Sequence, residues 1–93
     1  MDIKHVAGKD RGHILLYALS TCIWCKKTKK LLDSLGVEYN YVDVDLVDDT
    51  EKDAVTKEIM RWNPSCSFPT IVINKKQCIV GYKENELKKA LAE

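Results

Sequence analysis

Cys22-Ile23-Trp24-Cys25 sets two thiols two residues apart, just after the apolar run His13-Ile14-Leu15-Leu16-Tyr17-Ala18-Leu19. The pattern turns helical at that point, so the pair stands between a strand and a helix. One helical turn brings such sulfurs within bonding reach, and the helix N-terminus favours a thiolate on the first. The arrangement suits dithiol–disulfide exchange: a thiolate attacks a foreign disulfide, and the second thiol resolves the mixed disulfide. Cys22 meets unpaired N–H groups and the positive end of the helix dipole, which makes it the expected nucleophile. Lys26, one turn on, leans its ammonium back and is expected to lower the Cys22 pKa, with Lys29 farther along that side. Cys25 lies on the side that Leu32 marks as buried, which suits a resolving thiol.

Cys66 and Cys78 complete the cysteines. Zinc sites usually bring a second closely spaced pair, and these two lie well apart, so no metal is expected. An iron–sulfur carrier that uses Cys22 as a ligand is the rival from another functional class. Cys66 is a candidate additional redox thiol; Cys78 reads as core. Trp24 is hard to bury at a helix start and is expected to form a docking surface for partners.

The elements that position these residues fit one modest domain of 93 residues. Apolar and charged fractions of 45% and 31% are those of a folded globular chain. A formal net charge of +1 gives no basis for bulk nucleic-acid binding. No stretch approaches the roughly 20 apolar residues of a membrane span, and the polar N-terminus lacks a secretory pattern. The expectation is a cytoplasmic monomer in a reducing compartment, where cysteines are reactive or buried rather than a disulfide framework.

Residues 1–12 form a lead-in, either a frayed tail or a short edge element, and 13–93 the domain proper. Residues 13–19 read as a buried strand. Thr28, Leu31, Leu32 and Leu35 form the apolar stripe of the helix after Cys22, and Gly36 caps it. Val37 to Asp45 reads as a strand in which Tyr39 and Tyr41 share a face. Asp48-Asp49-Thr50 opens a second helix, where Thr50 with Asp53 resembles a capping box; its stripe is Val55, Ile59 and Trp62, and Asn63-Pro64 ends it. Strands at 70–74 and 78–80 flank a turn, and a last helix presents Leu87, Ala90 and Leu91. The order β-α-β-α-β-β-α predicts a four-stranded mixed sheet with flanking helices, its first two strands parallel and its last two antiparallel.

With Phe68-Pro69-Thr70 before the third strand and Gly81-Tyr82-Lys83 before the last helix, the chain resembles the glutaredoxins of the thioredoxin superfamily. The resemblance runs in order from residue 13 to residue 92. It implies a thioredoxin fold and a thiol–disulfide oxidoreductase acting on disulfide-containing proteins. It further implies that Pro69 is cis and lies against the cysteine pair, and that the Phe68 backbone pairs with an extended substrate segment. Trp24, Phe68, Pro69, Thr70, Gly81, Tyr82 and Lys83 would then form the substrate groove. Three departures stand out. Ile23 and Trp24 replace the usual proline and tyrosine, Leu19 stands where a lysine is common, and Val80-Gly81-Tyr82-Lys83-Glu84 replaces Gly-Gly-Ser/Thr-Asp. Gly81-Tyr82-Lys83 is similar to the Gly-Phe-Arg of NrdH-type redoxins, which thioredoxin reductase reduces. The expected electron donor is therefore a reductase-type system rather than glutathione. No cofactor is expected beyond the Cys22–Cys25 disulfide, with glutathione and [2Fe–2S] not favoured.

Overall fold

A computed structural model of the chain describes residues 3–91. The strands are β1 (Lys4–Val6), β2 (Ile14–Ala18), β3 (Tyr39–Asp43), β4 (Thr70–Ile73) and β5 (Gln77–Val80). The helices are α1 (Ile23–Leu35), α2 (Asp49–Trp62) and α3 (Glu84–Leu91). Spatial order in the sheet is β1-β3-β2-β4-β5. β2 and β3 run parallel, while β4 is antiparallel to both β2 and β5. The chain thus has the expected mixed sheet of the thioredoxin fold, with the lead-in adding a fifth strand.

Side-chain alternation along β2 divides the core in two. Ile14, Leu16 and Ala18 face a cluster with Leu31 and Leu32 of α1 and Leu87 and Leu91 of α3. Tyr17, with Leu15 and Leu19 beside it, faces Val55, Ile59 and Trp62 of α2. The predicted stripes therefore pack as their periods require. Gly36 ends α1 in the left-handed region at φ 69°, and its N–H donates to the Asp33 carbonyl.

Two local expectations are corrected, and one left open is decided. Strand β3 ends at Asp43 rather than Asp45, because Val44–Leu46 tighten into a 3-10 turn. Helix α2 opens at Asp48-Asp49 as expected, but Thr50 and Asp53 both lie inside it and form no capping box. Asp48 is its N-cap, with no side-chain capping bond, and Asp49 and Glu51 place charge in the first turn instead. The lead-in is an ordered edge: Lys4 opposes Tyr41 and Val6 opposes Tyr39 in antiparallel register. Farther along, the Lys9 N–H donates to the Gly36 carbonyl and the Glu38 N–H to the Lys9 carbonyl, each at 2.8 Å. Among the described residues, no helix is long and apolar enough to cross a membrane.

Candidate active site

The site forms where β2 ends and α1 begins. Leu19 turns the chain by accepting the Cys22 N–H at 3.2 Å. Asp45, displaced from the sheet by the 3-10 turn, accepts both the N–H and the hydroxyl of Ser20. Those two bonds hold its carboxyl below the usual carboxylate range. They also pin the loop that presents Cys22.

Cys22 is the N-cap of α1, with extended backbone angles of φ −81° and ψ 120°. Its sulfur accepts the Cys25 N–H at 3.2 Å, in the place where a serine or aspartate oxygen usually caps. Partial burial opposes ionisation of Cys22, but the Cys25 thiol and the N–H groups of Cys25 and Trp24 outweigh it and lower the pKa. The Lys26 side chain is exposed on α1.

Cys25 is fully buried. Burial pushes its thiol up to about 12, with the hydrogen bond and charge of Cys22 adding to the rise; Leu19 backbone and Lys29 offset part of it. Lys29 is therefore the lysine with an electrostatic part, and it acts on the resolving thiol. Its ammonium lies 3.0 Å from Asp43 and 4.2 Å from the Tyr41 ring centre.

Beside the pair, Trp24, Phe68, Pro69, Gly81 and Tyr82 line a shallow cleft of about 240 Å³. The Phe68–Pro69 peptide bond is cis. The Gly81 N–H donates to the Pro69 carbonyl at 2.8 Å, tying the two walls together. Trp24 stacks on Tyr82 with centroids 5.9 Å apart, and the Lys27 ammonium lies 4.5 Å above the indole. Even so, Trp24 remains 51% exposed and Ile23 63%. The tryptophan both packs on a neighbouring loop and presents an open apolar face.

Thr70 and Lys83 stand apart from that lining. Thr70 is buried beneath the loop, where its hydroxyl donates to the Ser67 carbonyl at 2.7 Å. Lys83 is exposed, and its Cε reaches 4.0 Å from the position a Cβ on Gly81 would take. Cys66, in the left-handed region at φ 50°, is half-buried and packs against the α2-side core near Phe68. Cys78, expected in the core, is only half-buried on β5, and burial pushes its thiol up. Among the described residues, no group of three or more His, Cys, Asp or Glu side chains could hold a metal ion.

Asn63 is the residue that sequence reasoning missed. Nearly buried at the end of α2, its amide donates to the Ser67 carbonyl, the Ser67 hydroxyl and the Thr70 hydroxyl at 3.0–3.2 Å. Its side-chain oxygen accepts the Ser65 N–H. One side chain thus braces the whole loop before Pro69. In the sequence, an asparagine before a proline signals only a helix end; nothing there announces a brace.

Comparison with known proteins agrees with this architecture. Residues 14–78 match the glutaredoxin family model. A glutaredoxin-like 8.6 kDa protein of the rubredoxin operon of Clostridium pasteurianum is 33% identical over 78 residues, 84% of this chain and 96% of that one. The crystal structure of a glutaredoxin from Methanosarcina mazei superposes with a TM-score of 0.90 at 50% identity, covering 98% of this chain and 88% of the other. Methanoredoxin from Methanosarcina acetivorans gives 0.89 at 53% identity, covering 92% and 90%. The chain belongs to the glutaredoxin family.

Proposed function

We propose that the protein reduces disulfides in other proteins, with Cys22 as nucleophile and Cys25 as resolving thiol. The reading rests chiefly on the N-cap geometry, in which an accessible sulfur is stabilised by N–H groups beside a fully buried partner. The Cys22 thiolate attacks one sulfur of the substrate disulfide, forming a mixed disulfide and expelling the other sulfur as thiolate. Cys25 then loses its proton and attacks Cys22, releasing the second substrate thiolate. The substrate gains two electrons, and the protein is left with a Cys22–Cys25 disulfide.

Cys22 itself times the second step. While it is a thiolate, its charge and hydrogen bond help keep Cys25 protonated. Once Cys22 is tied up in the mixed disulfide, both influences vanish and only burial remains to oppose ionisation. The resolving thiol becomes more reactive once the mixed disulfide has formed and not before.

The cleft beside Trp24 and Phe68 receives the substrate chain, and the redox-active disulfide is the only prosthetic feature required. A reductase-type system in the cytoplasm re-reduces the pair. Supporting this choice over glutathione, Leu19 is an apolar side chain packed toward the α2-side core where a cation would serve a carboxylate. Glu84 follows Lys83 and is itself held 3.2 Å from Lys88.

Recycling of the oxidised protein by glutathione and by thioredoxin reductase, run in parallel, tests the donor. Faster turnover with the reductase is expected; efficient turnover with glutathione alone would sink that assignment. Cys22→Ser is expected to abolish reduction of a protein disulfide. Cys25→Ser should accumulate a mixed disulfide visible by intact mass, and its absence would remove the division of labour.

A further inference from the structure

Lys26, Lys27, Lys29 and Lys30 follow Cys25 on α1, and all but Lys29 are exposed. The Lys29 side chain is only 23% exposed, and its ammonium is drawn onto the sheet. There it donates to an Asp43 carboxylate oxygen at 3.0 Å and lies 4.2 Å from the Tyr41 ring centre. Asp43 is 19% exposed, so solvent ions screen this pair weakly.

The same ammonium belongs to the surroundings of the resolving thiol. Lys29 stands four residues after Cys25, a spacing that puts helical side chains on one face with Cβ atoms about 5–6 Å apart. The sheet meets that face at the same level. Asp43 stands opposite Ala18 at the end of β2, and Ala18 and Tyr41 belong with Cys25 to one core cluster. The Lys29 charge favours a Cys25 thiolate, while burial and the charge of Cys22 oppose it. One cation therefore serves a permanent carboxylate on β3 and a thiolate that forms only in passing.

That thiolate is required once in each turnover. In the mixed disulfide, Cys25 must release its proton to solvent and attack the Cys22 sulfur, which expels the substrate sulfur as thiolate. A buried anion is costly to form without a nearby opposite charge.

We propose that Lys29 is a positioning residue of the resolution step: its held ammonium offsets the charge Cys25 gains, and Asp43 limits how much of that cation the thiol receives. The inference rests on the reading of Cys25 as the resolving thiol.

Dithiobis(nitrobenzoate) separates the two steps, because attack by Cys22 releases one coloured thiolate and resolution by Cys25 releases the second. The reagent is mixed with excess reduced full-length protein, so that Cys22 consumes it, and colour is followed by stopped flow across pH. Lys29→Met keeps an apolar stem and removes the charge. It should slow the second phase, move its pH profile upward and leave the first phase unchanged. Nucleophilicity rises as the thiolate population falls, so a tenfold smaller population slows resolution only about three- to fourfold. Lys29→Arg should restore the rate, and Asp43→Asn, which releases the cation, should raise it above that of the unmutated protein. A second phase indifferent to Lys29→Met, unrescued by arginine or slowed by Asp43→Asn would overturn the proposal and leave the cysteine mechanism standing. So would a first phase slowed as much as the second. A single phase in the unmutated protein, matching Cys25→Ser, would instead overturn that mechanism and this proposal with it.

Discussion

At the scale of single residues, the two thiols differ because one caps a helix and the other is sealed beneath it. The difference has a direct pH signature. Cys22 is lowered from its ordinary value, so its thiolate fraction rises at lower pH than that of a free cysteine. Cys25, at about 12, remains a thiol across the physiological range. Iodoacetamide should therefore modify Cys22 with a midpoint below the roughly 8.5 of a free thiol, and leave Cys25 untouched until the protein unfolds. Because hydrogen bonds from the Cys25 thiol and from backbone N–H groups perform the lowering, Lys26→Ala should leave that midpoint within about 0.3 units, well short of the ~1 unit that corresponds to 1.4 kcal/mol. A larger rise would restore the lysine to the role its spacing predicts.

At the scale of elements, the site is a junction of three segments, each braced from outside the cysteine motif. Asp45 fixes the β2–α1 loop, Asn63 fixes the loop before Pro69, and the Pro69–Gly81 hydrogen bond joins that loop to the segment before α3. Asn63→Ala would strand the Ser65 N–H and remove three donated contacts in a nearly buried position. The expected loss is about 1–3 kcal/mol, read as a lowered denaturation midpoint, with disulfide-reduction rate falling as well. Unchanged activity in a destabilised variant would show that the brace serves the fold alone.

These braces mark where the sequence stops being legible. Periodicity located every helix and strands β2 to β5, because an apolar stripe must find a core whatever its partner. Local spacing also brought Cys22 and Cys25 together and assigned their exposures. Helical spacing gives proximity along one face, whereas the N–H groups of Trp24 and Cys25 that lower Cys22 are donors no side-chain pattern displays. Asn63 and Asp45 were unreadable for a related reason: each reaches a segment that only the tertiary fold brings near. The capping box at Thr50 was a local signal that did not form, because Thr50 and Asp53 both fall inside α2, with Asp48 as its N-cap.

At the scale of the whole molecule, the lead-in stitches the sheet to the α1–β3 corner. A Cβ on Gly8 would come within 2.6–2.8 Å of backbone atoms of Gly36, Val37 and Glu38. Such a clash forces the segments apart, so Gly8→Val should cost about 1–3 kcal/mol, measured by chemical denaturation. A neutral outcome would mean that the lead-in lifts away freely. The same segment has a second consequence, for solubility. β1 covers the side of β3 that would otherwise be a bare sheet edge, and such edges template pairing between chains. Its own outer edge is only Lys4–Val6, short and carrying a lysine and a histidine, which makes a poor template. Pairing of β1 with β3 thus leaves that side of the sheet with a short edge in place of the longer β3 edge.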